Sequence, residues 1–277
     1  MDLVFASILL VVLPDFFGTA VKAGPAHVLL WCLAIALFFI PQALVVAHLN
    51  ERLPIEGGLY EWARHAFGDT IGFVVAWNLW LYAVVFVASI GLLTCTYVAY
   101  AFGLDTGTVS EKKWLVLGAS ILILATLMLM AHLGLRVGKW VTNAGSALTV
   151  LVILFLAVLP FYLAGRGSLA AYHPLRLIAP PLSLFSLSVF SKMTFGALCG
   201  FEYAAIFSGE SRNPGQNLSR AIFVAAPLIA LLYIFGTSAI LAFVPPDKID
   251  VIGPIPQALH VALAGSPLAG LGPDRGR

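Results

Sequence analysis

Two apolar stretches of this chain each place an acid beside residues that weaken a helix. In the first, Asp15 follows Pro14, which cannot donate a backbone hydrogen bond; in the sixth, Gly196 and Gly200 precede Glu202. An interrupted helix frees carbonyl groups that suit a cation, and the N-terminus of the following half-helix suits a carboxylate. An acid at the same place can carry a proton or bind an amine. These residues are the candidates for chemistry.

The composition shows what surrounds these residues. Of the 277 residues, 61% are hydrophobic and only 10% are charged. Because about 25% of the residues in a soluble domain are charged, the solvent for this chain must be lipid. A net charge of +2 is too small to indicate a nucleic-acid partner. The three cysteines occur singly and have no metal-ligand spacing, so no cofactor is expected.

Seven apolar runs are long enough to cross a bilayer as helices, which predicts an all-α membrane protein. We call them spans one to seven: Leu3–Val21, His27–Leu49, Thr70–Phe102, Trp114–Leu135, Trp140–Leu163, Ser183–Ser208 and Arg220–Val244. An eighth begins after them but is cut by Pro254, Pro256 and Pro267. The stretch from Ala264 to Arg277 is too short and too interrupted to cross, so a partial eighth helix is expected.

The spacing of the two interrupted spans suggests a transporter. Spans one and six are five spans apart, and broken helices in corresponding positions of two halves indicate a site between inverted repeats. Close packing of helices is the alternative role for Gly196 and Gly200. Asp15 could instead form a buried ion pair with Lys192, and Lys192 could extend to the outer interface. Lysine and arginine counts in the loops are tied, so charge alone leaves the orientation open.

The loop after span two has its own pattern. Gly57 and Gly58 predict a turn, and Glu61 lies three and four residues before Arg64 and His65, as in a short surface helix with paired charges. The neighbouring Tyr60 and Trp62 suit a membrane interface.

Three stretches together resemble the amino acid–polyamine–organocation (APC) transporters. "LPIEGGLYEWARHAFGDTIGFVVAWNLWL" looks like the family signature after span two, and "GFEYAAIFSGESRNPGQNLSRAI" resembles the end of span six and the following loop. "AGPAHVLLWCLAIALFFIPQALVVAHL" is similar to the second span. The resemblance extends from span one to about Gly265.

The resemblance implies a fold, a location and an activity. The fold is the LeuT-type arrangement of two inverted five-helix repeats, here residues 1–164 and an incomplete second repeat at 183–277. The N-terminus is cytoplasmic, and the protein crosses the plasma membrane several times. Family members are not enzymes; they carry amino acids or related amines with a proton or by exchange. Because the fold needs ten core helices, this chain is expected to be inactive alone.

The resemblance also assigns roles to the candidate residues. Substrate lies between the unwound parts of spans one and six, where carbonyls near Gly196, Cys199 and Gly200 meet its amine. Glu202 serves gating or proton coupling, and Lys192 is a second candidate for that role. The counterpart in span one is the segment Pro14, Asp15, Phe16, Phe17 and Gly18.

Two features depart from the family pattern. Span one lacks the usual Gly-x-Gly break, so Asp15 could select cationic substrates or balance Lys192. Span five lacks the lysine that replaces a sodium ion in some members. A channel-like pore and a non-transporting remnant are the rival functions. A retinal protein is excluded because span seven has no lysine.

Overall fold

Helices form the regular secondary structure of this protein. The computed structural model describes residues 2–55, 57–104, 106–132, 135–165, 175, 177–206 and 214–264. Within these ranges there are thirteen α-helices and no strand. The all-α membrane fold expected from the sequence is confirmed.

Several spans are built from more than one helix. Span one consists of α1 (Asp2–Val11) and α2 (Pro14–Val21); span two consists of α3 (His27–Ala34), the π-helical segment Ile35–Phe39 and α4 (Ile40–Arg52). Spans three to five are α6 (Asp69–Ala101), α8 (Lys113–His132) and α9 (Leu135–Gly165), with α5 (Leu59–Phe67) and α7 (Thr106–Glu111) between them. Span six consists of α10 (Leu184–Ser191), the π-helical segment Lys192–Ala197 and α11 (Phe201–Ala204). Span seven is α12 (Pro214–Phe243), and α13 (Pro254–Ala264) follows it.

The count of membrane helices agrees with the prediction. Six stretches in the described part of the chain are long and apolar enough to cross a membrane, and the pair α1 and α2, bent by 45°, makes a seventh. The predicted eighth segment begins as α13, whose 11 residues are too few to cross a bilayer at 1.5 Å per residue. Residues 265–277 lie outside the described part.

Span seven is at the centre of the bundle. It packs against spans one, two and five and against α13. Half of the residues in its most apolar 18-residue stretch are buried inside the chain. The largest fully buried side chains belong to spans one, two, six and seven: Phe17, Trp31, Phe39, Phe201 and Tyr233. The packed core therefore lies around the two interrupted spans.

Spans three and four lie at the edge of this core. They pack against each other, and α5 packs against span three. Only 6% of the residues in the most apolar 18-residue stretch of span three are buried inside the chain, and none are in that of span four. Since they are also strongly apolar, their exposed faces suit lipid.

The loop after span two folds as the charge spacing predicts. In α5, Glu61 forms ion pairs with Arg64 at 3.5 Å and with His65 at 3.7 Å. The Asp69 carboxylate accepts a 2.7 Å hydrogen bond from Arg64, which raises the pKa of that guanidinium. The interface role expected for Trp62 is wrong, because its ring is buried and its Nε1–H donates to the Leu53 carbonyl at 3.1 Å.

Candidate functional site

Span one is broken at the position that the proline predicts. Helix α1 ends at Val11, and α2 begins at Pro14 after Leu13, which has an extended backbone (φ −101°, ψ 126°). Pro14 has no N–H to donate to the Leu10 carbonyl, which would be its partner in a continuous helix. The break lies near the middle of the span, so its free backbone groups need partners inside the protein.

Span six is broken at the predicted glycines. The π-helical segment Lys192–Ala197 widens the helix, and the chain is irregular until α11 begins at Phe201. Gly200 has a φ of 143°, a region that residues with a side chain rarely adopt. Glycine is therefore required at this point by the backbone itself.

The two breaks touch each other. A Cβ atom built on Gly200 would lie 2.8 Å from the Leu10 carbonyl oxygen. One built on Gly196 would lie 2.5 Å from the ring of Phe16. Both distances are too short for a real side chain, so the two glycines allow the backbones of spans one and six to meet at their interruptions.

Tyr233 of span seven joins the breaks by hydrogen bonding. Its fully buried hydroxyl lies 2.7 Å from the Val11 carbonyl oxygen and 3.2 Å from that of Ala197, and it accepts from the Leu13 N–H at 3.3 Å. One phenolic proton can serve only one of the two carbonyls at a time. Tyr233 thus provides backbone partners for both interrupted spans. Its role is not evident from the sequence, where the available signal is a hydroxyl inside an apolar span.

The ring of Tyr233 is held by aromatic neighbours. The ring of Trp31 stacks on it with centroids 4.5 Å apart, and that of Phe17 lies at 5.0 Å. The Trp31 Nε1–H donates to the Thr237 hydroxyl at 3.1 Å, which fixes the orientation of the indole. These contacts restrict the positions available to the Tyr233 hydroxyl.

Glu202 is buried beside the break in span six. Its Oε2 accepts from the Gly200 N–H at 3.0 Å and from Gln42 Nε2 at 3.0 Å. The first bond joins the acid to the backbone of the break, and the second connects the acid to span two. The buried Oε1 of Gln42 has no hydrogen-bond partner. Gln42 was not identified from the sequence, although an amide directly after Pro41 in an apolar span was a signal.

Asp15 and Lys192 do not form the ion pair considered from the sequence. The salt bridges among the described residues leave both side chains out. Lys192 is exposed, as expected for a lysine that extends to an interface, whereas Asp15 is half-buried.

The remaining candidates have different surroundings. Phe17 is buried against Tyr233, and a Cβ atom on Gly18 would lie 2.9 Å from the backbone of Val251, just before α13. Both residues therefore pack α2 into the bundle. Cys199 is half-buried within the irregular segment of span six.

Comparison with known proteins supplies the family. The profile described as amino acid permease matches residues 3–270. Since this is nearly the whole chain, the chain belongs to the amino acid permease family, and the resemblance to APC transporters is confirmed.

Relatives with curated descriptions are similar along most of the chain. An "Uncharacterized transporter" of Legionella pneumophila is 29% identical over 87% of this chain and 51% of its own length. A "Probable agmatine/putrescine antiporter" of Lactococcus lactis is 26% identical over 95% of this chain and 56% of its own. "Cationic amino acid transporter 4" of Mus musculus is 28% identical over 88% and 40%, respectively. The chain spans about half the length of the curated relatives it matches.

Proposed function

We propose that this chain belongs to a membrane carrier that moves amino acids or related amines by secondary transport. The observation that carries the proposal is the junction of the two broken spans at the hydroxyl of Tyr233. Backbone groups freed at membrane depth are tolerated where they line a cavity or meet protein partners. In a carrier these groups line a cavity in one state and meet protein partners in another, because the site alternately opens and closes.

The chemistry of the junction fits a small ammonium compound. The carbonyls of Val11 and Ala197 are cation acceptors, and the N-terminus of α2 provides partial positive charge. At such a pair of breaks, the carbonyls attract the ammonium end of a substrate and the helix N-terminus attracts its negatively charged end. The named relatives are consistent with this class, since one is described as an agmatine/putrescine antiporter and another as a cationic amino acid transporter.

The architecture that goes with this proposal is a pair of inverted repeats. The first comprises spans one to five within residues 1–164, and the second begins with spans six and seven within residues 183–277. Spans one and six then occupy equivalent positions, which accounts for the matching interruptions. The proposal includes a cytoplasmic N-terminus and a plasma-membrane location.

Glu202 is the proposed coupling residue. It is buried beside the break and connects span six to span two through Gln42. Protonation of Glu202 would turn one of its carboxylate oxygens from an acceptor into a hydroxyl donor. The buried Oε1 of Gln42 has no hydrogen-bond partner and can accept that hydrogen bond. The pair can therefore exchange one hydrogen-bond arrangement for another when a proton binds.

Counterflow tests the proposal against a channel. Proteoliposomes containing the purified chain are loaded with unlabelled putrescine or arginine and diluted into trace radiolabelled compound. A carrier accumulates label transiently above equilibrium, because outward movement of unlabelled substrate drives inward exchange. Uptake that only equilibrates would indicate a pore. If this chain shows no uptake beyond protein-free liposomes, as expected of these residues alone, the same assay is made on the whole carrier to which the chain belongs, and no uptake there would contradict the proposal.

A further inference from the structure

We infer that the protein binds an anionic phospholipid of the bilayer in a groove between span two and the start of span six, with an acyl chain in the groove and the headgroup phosphate at Lys22. None of the residues that line this groove belongs to the break in span one or in span six. The inference therefore concerns a second site and does not depend on the substrate of the carrier.

The groove is a cavity of about 520 Å³ with an apolar lining. Leu30 and Leu33 of span two contribute to it, as do Leu187 and Phe190 of α10 and the non-helical residues 180–183. Its volume is within the range of roughly 300–1,000 Å³ found for small-molecule sites. The groove is thus large enough for part of an acyl chain.

The chain just before span six is apolar although it lies on the surface. Leu177, Ile178 and Leu182 are exposed, and residues 177–183 form no helix. Contiguous exposed apolar residues mark an interaction surface. Because irregular backbone is not tolerated against the hydrocarbon centre, this segment belongs at the edge of the bilayer, where acyl chains begin.

Lys22 provides a cation beside the groove. It lines a smaller cavity of about 80 Å³ that shares Leu30, Pro180 and Ser186 with the groove, so the two cavities adjoin. Lys22 is exposed, and the salt bridges among the described residues leave it out. A lysine near the membrane surface attracts anionic lipid headgroups.

The charge and the apolar walls follow each other in the order that a phospholipid requires. Lys22 lies in the link between spans one and two, whereas Leu33 is six residues beyond His27, the first residue of α3. At 1.5 Å per residue, six residues correspond to about 9 Å along the helix. Phe190 lies equally far from the start of α10 at the same end of the bundle. The groove therefore extends from the charged surface into the apolar layer.

Two hydroxyls lie between the cation and the deeper apolar walls. Ser186 lines both cavities, and its hydroxyl is 3.1 Å from that of Ser183, which also lines the groove. A hydroxyl can donate a hydrogen bond to an ester or phosphate oxygen. A ligand that meets all of these groups has a negative end, oxygen acceptors and an apolar chain, which together describe an anionic phospholipid.

The experiment compares two lipids that differ in headgroup charge. Dioleoyl phosphatidylglycerol or dioleoyl phosphatidylcholine is added to the delipidated chain in detergent, and native mass spectrometry measures the dissociation constants. We expect phosphatidylglycerol to bind about fivefold more tightly, since the attraction of one lysine for an anionic membrane is about 1 kcal/mol. In Lys22→Gln the two lipids should differ by less than about twofold.

Further variants separate the charge from the groove. Lys22→Arg retains the cation and should retain the preference, which also covers a Lys22→Gln variant that fails to fold. Leu187→Trp places a larger side chain in the groove and should weaken binding of both lipids by at least about fivefold without changing their ratio.

Two controls leave the proposed site intact. Lys113→Gln removes another exposed lysine at the same end of the bundle, and Leu44→Trp adds an indole at an exposed position of span two outside the groove. Neither substitution should change the affinity for either lipid.

Phosphatidylglycerol with a photoreactive group in its acyl chain locates the site. Crosslinks should map to the peptides that contain Leu33 or Leu187. Equal affinities for the two lipids, a preference that survives in Lys22→Gln, or crosslinks confined to spans three and four would overturn the inference. So would dimers of the chain that Leu187→Trp abolishes, because a second copy would then fill the groove. Crosslinks that disappear in the whole carrier would show that another of its helices covers the groove, which also contradicts a lipid site.

Discussion

Gly200 is the residue at which conformation and packing both exclude a side chain. Its φ of 143° and the 2.8 Å approach of a Cβ atom to the Leu10 carbonyl act together. We expect Gly200→Ala to lower the free energy of unfolding by roughly 1–3 kcal/mol, because strained backbone of this kind has that cost. Thermal unfolding in detergent measures the change.

The matched control is Gly118→Ala in span four. A Cβ atom there would have open space around it, and its backbone is helical. Alanine should leave stability unchanged or raise it by about 0.4–1 kcal/mol. Equal effects of the two substitutions would contradict the requirement for glycine at the break.

Glu202 provides the second prediction for a single residue. Glu202→Gln keeps an acceptor for the Gly200 N–H but cannot take up a proton. If Glu202 carries the coupled proton, this variant should lose the dependence of amine uptake on the proton gradient while still performing exchange. The measurement is uptake by proteoliposomes with and without an imposed pH difference.

Glu51→Gln serves as its control, since Glu51 is exposed at the end of α4. This substitution should leave the response to the gradient intact. A Glu202→Gln variant that responds to the gradient like the wild type would show that the coupled proton is bound elsewhere.

Between elements, the hydroxyl of Tyr233 is the connection that can be removed most cleanly. Tyr233→Phe keeps the ring against Trp31 and Phe17 but removes the hydroxyl that bridges the two breaks, so that the buried Ala197 carbonyl loses it as a partner while the Leu13 N–H keeps its 3.1 Å bond to the Val11 carbonyl. An unsatisfied buried group costs about 1–3 kcal/mol. The breaks should therefore open more often.

Cys199 reports this opening because it lies in the break of span six. With Cys32 and Cys95 replaced by alanine, a maleimide should label Cys199 about tenfold faster in Tyr233→Phe, as a cost of about 1.4 kcal/mol implies. Tyr100→Phe also removes a hydroxyl, one that donates to Asp250 at 2.9 Å near α13, and should not change the rate. Equal labelling in all three backgrounds would argue against a bridging role.

Across the described residues, the packing separates a core around spans one, two, six and seven from spans three and four, whose apolar side chains are largely exposed. Trp31 is fully buried, whereas Trp77 of span three is 54% exposed. In chains that retain a single tryptophan, brominated lipid should quench Trp77 fluorescence strongly and Trp31 fluorescence weakly. The reverse order would contradict this arrangement.

The sequence by itself determined the local features of this protein. Hydropathy located the seven spans, because a run of about 20 apolar residues has few alternatives to a membrane helix. Pro14 and Gly200 marked the breaks, because the missing N–H of proline and the access of glycine to positive φ are properties of single residues. The pairing of Glu61 with Arg64 and His65 follows from helix spacing alone.

Only the tertiary structure decided which residues meet at the breaks. Tyr233 contacts Val11 across 222 positions of sequence, and Gln42 contacts Glu202 across 160. In one sequence every buried hydroxyl or amide has many potential partners, and packing selects among them. The same reason explains why Lys192, a plausible partner of Asp15 by composition, lies exposed and apart from it. Contacts between distant spans depend on how the helices are oriented about one another, which the hydropathy of each span leaves undetermined.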